Sequence, residues 1–236
     1  MSGPVVVDVA DAVATLTVDD LSPLARYDPA FTRALCEAVE ETADSDAVKV
    51  LVLRTAAPDF CPDLPATAPE SEVFTAWEQD FAAATALYQS LCFCKKVTMT
   101  VVTGTCGAAG SGMLLCTDLA VAATGARFRS PFLDRPEANF VLGALMMRLN
   151  RAKAWLVQNR VLEADEALAA GLINEITAPA DLDEVVARRA TTVTRMPLDG
   201  ITMSKMLLQA VLDGHGVGRE FDQAGFYANA RWGGRR

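Results

Sequence analysis

The sequence predicts an α/β core followed by a helical C-terminal region. Three observations carry this expectation. Short β-branched runs alternate with segments of helical spacing through most of the chain. Three helical segments then close it. Between them, residues 97–123 pass through a strand, a small-residue turn, a helix start and a second strand. The expected division is 1–178 for the α/β core and 179–236 for the helical region.

Val5–Val9 and Val13–Val18 are β-branched runs split by Ala10, Asp11 and Ala12, which predicts a hairpin. Leu21–Asp28 reads as a loop carrying Pro23. Its Arg26 has the charge to contact a phosphate, although a solvated surface charge is the ordinary reading. Asp28 before Pro29 is a helix start, with the aspartate as N-cap and the proline at the first helical position. Phe31, Leu35, Ala38 and Val39 then follow at helical spacing. Val48–Leu53 is a buried strand. Thr55–Glu70 is a loop too long for a plain connection. Ser71, Phe74, Trp77, Phe81 and Tyr88 predict a long helix ending near Leu91.

Val97–Val102 is the next strand, followed by Gly104, Gly107, Ala108, Ala109, Gly110, Ser111 and Gly112. Met113–Cys116 fits the first turns of a helix, and Leu119–Ala123 a further strand. Small residues let backbone N–H groups at a helix start approach developing negative charge. A tight packed turn is the plainer reading, because a glycine-rich turn is a weak motif. Pro131 and Pro136 preclude a continuous helix after Phe128. Ala144–Leu149, Ala152–Val157 and Ala164–Ala170 look helical, with Gly171 as a C-cap, and Leu172–Ile176 reads as a strand. Asp181–Val193, Pro197–Leu212 and Arg219–Ala230 are the closing helices.

Composition narrows the function. The chain has 236 residues, 51% of them apolar, enough for one large core. A net charge of −9 argues against nucleic acid as the main partner. No run of apolar residues is long enough for a membrane span, and the N-terminus lacks the basic and apolar regions of a signal peptide. The six cysteines sit mostly in apolar segments and read as reduced, which fits a cytoplasmic protein. With a single histidine, a metal site is not expected.

The motifs are more specific than the glycines. The run from Gly104 through C-T-D-L-A-V-A, F-C-P-D-L at 60–64, A-R-F at 126–128 and E-A-D-E-A-L-A-A-G-L-I-N-E-I at 163–176 resemble the enoyl-CoA hydratase/isomerase (crotonase) superfamily. The resemblance extends over roughly residues 5–230. It implies a crotonase-like spiral of ββα units with a helical C-terminal region, assembled as a homotrimer or hexamer. The implied substrate is an acyl-thioester. Coenzyme A or phosphopantetheine enters only as part of it, and an acyl-carrier protein is an alternative carrier.

The family reaction forms an enolate whose oxyanion is held by two backbone N–H groups. The resemblance puts one at Ala109. The other falls on Pro62, which has no N–H, so Asp63 or Cys61 supplies the donor or that half of the hole is absent. The two hydratase glutamates fall on Gly112 and Phe132, neither of which transfers a proton. Relatives that dehydrate or decarboxylate acyl-thioesters share the glycine at the first position but keep the second glutamate. The nearest carboxylates here are Asp134 and Glu137, with Asp134 ahead because it is nearer Phe132. Arg135 between them has the charge to pair with either and make it structural. Phe132 and Phe140 would line the acyl pocket with Cys61, Leu64, Gly107 and Ala108.

Ser111 faintly resembles a Clp-type protease nucleophile, but no histidine follows nearby to activate it. His215 sits in a glycine-flanked turn. The small-residue run is not a dinucleotide fingerprint. Two expectations from different classes remain. One is an acyl-thioester lyase or isomerase working without the usual hydratase glutamates. The other is a non-catalytic member that binds an acyl-thioester or a partner protein.

Overall fold

The computed structural model describes residues 4–64, 74–131, 135 and 137–232, with side chains described for all of these but 74–80, 225 and 227–232. In chain order the elements begin with β1 (Val5–Ala10), β2 (Val13–Val18), α1 (Ser22–Ala25), α2 (Pro29–Asp44), β3 (Val50–Thr55) and α3 (Phe74–Cys92). Next come β4 (Val97–Val102), β5 (Thr105–Cys106), α4 (Ala108–Leu115), β6 (Leu119–Ala123) and β7 (Arg127–Arg129). Then follow α5 (Phe140–Met146), α6 (Leu149–Val157), β8 (Val161–Glu163), α7 (Ala164–Ala170) and β9 (Glu175–Thr177). The chain closes with α8 (Leu182–Thr194), α9 (Leu198–Gly214) and α10 (Val217–Trp232).

The main sheet runs β1-β2-β3-β4-β6-β9. The β1–β2 hairpin is antiparallel and every other pair is parallel. The hairpin turn puts Asp11 and Ala12 at φ 50° and 64°, which matches the twist of the flanking strands. Central strands bury both faces, as parallel strands must. Leu51 and Leu53 face the large core with α2 and α4, while Val50 and Val52 join Met99, Val101 and Val121 under Leu182, Val185 and Val186 of α8. A smaller sheet, β5-β7-β8, stands beside the main one.

Local signals explain several joints. Asp28 accepts N–H bonds from Ala30 and Phe31, as expected of an N-cap. Gly171 ends α7 at φ 90°, where an added Cβ would lie 2.9 Å from the Met146 carbonyl oxygen. Asn174 in G-L-I-N accepts the Ala120 N–H at 2.7 Å and so locks the last strand to β6. Asp118 accepts the Thr98 N–H at 2.8 Å and takes Lys205 Nζ at 2.6 Å, fastening α9 to the sheet.

Other expectations are corrected. The helix after the small-residue run starts at Ala108, not Met113, because the small residues are themselves its first turns. The last strand is Glu175–Thr177 rather than Leu172–Ile176: Leu172 and Ile173 turn into the core. The Ala144–Leu149 helix is instead α5, shifted back to Phe140 by the Asn139 cap. The Leu21–Asp28 loop contains α1, and the short strands β5, β7 and β8 have too little periodicity to read. The predicted start of the long helix at Ser71 and the loop residues 65–70 lie outside the described residues. All six cysteines are free and buried. No helix among the described residues is long and apolar enough to cross a membrane.

Candidate functional site

The small-residue helix α4 and the loop at 60–64 meet face to face. Their contact is a bridge between Cys61 and Cys106, with Gly107 N–H donating to the Cys61 carbonyl at 2.7 Å. The fit leaves no room for side chains. A Cβ on Gly107 would sit 2.5 Å from the Pro62 carbonyl oxygen, and one on Gly110 would sit 2.6 Å from Cys61 Cβ. These glycines are therefore required by close backbone approach.

The same bridge decides which N–H groups are spent. Cys61 N–H donates to the Thr105 carbonyl at 2.9 Å, which removes it as an oxyanion donor. Leu64 N–H turns back to the Pro62 carbonyl at 3.0 Å. Among the described residues the Asp63 N–H has no acceptor, and neither has the Ala109 N–H in the first turn of α4. The Asp63 side chain points elsewhere, to Arg129 Nη1 at 2.7 Å. The Cys61 thiol is pushed up to about 12, chiefly by burial, so it stays protonated and is no nucleophile.

A buried polar cluster lies beneath α4. Glu137 is 1% exposed, a buried carboxylate rather than a solvated loop residue. Its Oε2 accepts the Tyr27 hydroxyl at 2.8 Å, and its Oε1 lies 3.5 Å from Arg135 Nη1. Arg135 is as buried as its partner. Its other amino group donates to the Ala25 carbonyl, and its guanidinium stacks 4.1 Å from the Tyr27 ring centroid. Arg135 thus pairs with Glu137, as a basic residue between two acids allows. Burial raises the Glu137 carboxyl above its ordinary value, and the Arg135 charge pulls only part of that back. Burial keeps the Tyr27 and Tyr88 hydroxyls protonated, and the Glu137 charge adds to this.

Tyr88 is the residue that sequence reading missed. It comes from α3 and donates its hydroxyl to the Ala109 carbonyl at 3.0 Å. A Cβ on Gly112 would lie 3.1 Å from that hydroxyl and 3.2 Å from Ala138 Cβ. The tyrosine fills the space that a side chain at Gly112 would occupy. The signal was weak, because Tyr88 lies on a helix whose aromatic stripe reads as core. Tyr27 was equally hidden, in a loop, at φ 59°.

The C-terminal helices brace this region. Glu220 of α10 accepts the Val141 N–H at 2.7 Å, and Asn139 Nδ2 donates to the Val217 carbonyl at 2.9 Å. Phe140 is half-buried against the large core, as is Leu64. Ala108 is buried beside Ala109. Phe132 and Asp134 lie outside the described residues.

The family model for enoyl-CoA hydratase/isomerase matches residues 8–228. The chain belongs to the enoyl-CoA hydratase/isomerase family. Solved structures with the same crotonase fold include an enoyl-CoA hydratase from Mycobacterium smegmatis, 22% identical at TM-score 0.79 over 97% of this chain and 91% of that one. Another is an enoyl-CoA hydratase/isomerase family protein from Silicibacter pomeroyi, 27% identical at TM-score 0.76 over 89% of this chain and 90% of that one. Two 4-chlorobenzoyl coenzyme A dehalogenases from Arthrobacter sp are each 30% identical over 118 residues, 48% of this chain. The chain spans 43% of the length of these curated relatives.

Within the enoyl-CoA hydratase/isomerase family, Ser111 is not placed as a protease nucleophile. It is fully buried, with its hydroxyl donating to the Cys106 carbonyl at 3.3 Å. His215 is exposed at the end of α9, with Nδ1 2.8 Å from the Val211 carbonyl oxygen. Arg26 is exposed at the end of α1. No group of three or more metal-ligating side chains occurs among the described residues.

Proposed function

We propose that this chain acts on an acyl-thioester, carried by coenzyme A or an acyl-carrier protein, through an oxyanion-stabilised enolate, in a dehydration, isomerisation or decarboxylation. One observation carries the reading: a buried carboxylate, Glu137, is held beside the helix that presents the Ala109 N–H. In this reading the Ala109 and Asp63 N–H groups take the thioester oxygen as it becomes negative. Glu137 moves the proton; burial raises its carboxyl above the ordinary value, and Arg135 and Tyr27 hold it in place. Asp134 is the second candidate for that step. Phe140 and Leu64 enclose the acyl group, with Cys61, Gly107 and Ala108 as the floor; Phe132, outside the described residues, is a further candidate for contact with it. The cytoplasm is the proposed compartment, supported by six free cysteines.

A non-catalytic binding role is the second reading. The observation favouring it is the engagement of Glu137 by both Arg135 and Tyr27. A thermal-shift titration with acyl-CoAs and acyl-carrier proteins, followed by a turnover screen on the binders, separates the two. Stabilisation with turnover supports the enzyme, stabilisation alone supports the binder, and no response to any acyl-thioester sinks both.

Hydration itself is expected to be slow. General acid–base groups contribute about 10²–10⁴ each, and Gly112 supplies none. Gly112→Glu is expected to leave crotonyl-CoA hydration at the wild-type level, because Tyr88 and Ala138 already fill the space. Ordinary hydratase rates in either protein, measured by loss of enoyl absorbance, would contradict this.

The assembly proposed is a trimer or hexamer. Met203, Met206, Leu207, Leu208 and Val211 present an exposed apolar face on α9 that supports it. Light scattering is expected to give at least three chains per particle at micromolar concentration. A monomer would refute the assembly without touching the chemistry.

A further inference from the structure

A cavity of about 300 Å³ opens between α6, β8 and α7, and it shares no residue with the candidate site. Arg148, Arg151 and Arg160 line it, above an apolar floor that includes Leu162 and Ala170. Three cations in one concavity run against a chain whose net charge is −9. The only carboxylate in the lining, Glu166, is already committed. Its Oε1 takes Arg160 Nη2 at 3.0 Å, and its Oε2 takes the Glu163 N–H at 3.3 Å. Arg148 and Arg151 make no ion pair among the described residues, although the Arg151 charge also acts on Glu166.

Their placement adds to the imbalance. Arg148 is the N-cap of α6 and Arg151 lies in its first turn, and no side chain caps that end. Positive side chains at a helix N-terminus oppose the helix dipole, and an anion there relieves both. Two lining segments are joined directly, since Arg148 N–H donates to the Ala170 carbonyl at 3.2 Å.

We propose that this cavity binds a phosphorylated small molecule, of the diphosphate class, through Arg148, Arg151 and Arg160. Guanidinium groups match phosphate oxygens in charge and in hydrogen-bond geometry. The concavity and its apolar floor favour a small molecule over a protein surface, and the volume sits at the lower end of small-ligand sites. This inference rests on the cavity's own residues and holds whether or not the acyl-thioester reading does.

The test is calorimetric titration of the full chain with inorganic pyrophosphate and with ADP at low ionic strength. Both are expected to bind, and Arg148→Gln/Arg151→Gln is expected to weaken them about tenfold or more. Arg33→Gln, an exposed arginine elsewhere, should change nothing. Both arginines of the double variant are exposed, and an unchanged melting temperature checks that the fold is kept. Titration with coenzyme A identifies the source of the phosphate. Affinity lost in the double variant assigns the cavity to the coenzyme head, and affinity kept assigns it to a free phosphorylated ligand. No binding of either probe at millimolar concentration overturns the proposal, as does equal binding by the double variant.

Discussion

Arg135→Met is expected to destabilise the fold by about 3–5 kcal/mol at neutral pH, because removing one partner of a buried ion pair strands the other. Arg135 and Glu137 have side chains 1% and 0% exposed, so water cannot compensate. The substitution also removes the bond to the Ala25 carbonyl and the contact with the Tyr27 ring. The loss carries a pH signature. Burial raises the Glu137 carboxyl and the Arg135 charge lowers it, so without Arg135 it rises further. A carboxyl raised on folding contributes stability that is present below its unfolded value, 4.5, and lost as pH climbs through the folded one. The penalty should therefore shrink in acid and grow toward neutral pH. Arg135→Met/Glu137→Gln should regain much of the loss and remove the pH dependence. Urea denaturation across a pH series reads all three proteins. A single variant as stable as wild type at neutral pH, or a penalty indifferent to pH, would show that the pair does not behave as a buried ion pair.

Glu137→Gln is expected to lower turnover of the preferred acyl-thioester by about 10²–10⁴, the usual contribution of a general acid or base. Glutamine keeps the volume and can still accept the Tyr27 hydroxyl, but it cannot transfer the proton. Because it also strands Arg135, a second variant keeps the role testable. Tyr27→Phe preserves both charges and removes the hydrogen bond that lowers the Glu137 carboxyl. The carboxyl should then titrate at higher pH. If it acts as the acid, activity persists to higher pH before falling, and the alkaline limb of the rate profile moves up. A purely structural Glu137 would leave that limb in place. A folded Glu137→Gln protein with full activity rejects the assignment. If Asp134→Asn alone then abolishes turnover, the proton-transfer role passes to Asp134.

Much of this was legible residue by residue. The β-branched runs at Val13–Val18 and Val97–Val102 became sheet strands, because their side-chain chemistry suits a pleated surface, half-buried on one face in the first and buried on both in the second. Asp28 and Gly171 marked helix ends through chemistry confined to one turn. The family motifs pointed to Ala109 and to the loop at 60–64. Helix α4 was misplaced because Gly110 and Gly112 disfavour a helix where Ala108 and Ala109 favour one, so the local signals cancel. The cluster under α4 was illegible for a different reason. Tyr27 and Glu137 stand 110 positions apart, and nothing near either one announces the other.

The sequence by itself determined the family, the strand-and-helix core and the absence of carboxylates at Gly112 and Phe132. The family follows from the resemblance of whole motifs to known relatives, and the rest from residue identity and from periodicities only a few residues long. Tertiary structure alone decided that Tyr88 fills the space at Gly112, that Arg135 and Glu137 pair out of water, and that Cys61 N–H is spent while Asp63 N–H is not. Burial and hydrogen-bond partners depend on which distant segments meet. Packing at close range sets them, and a local reading of the chain does not contain that information.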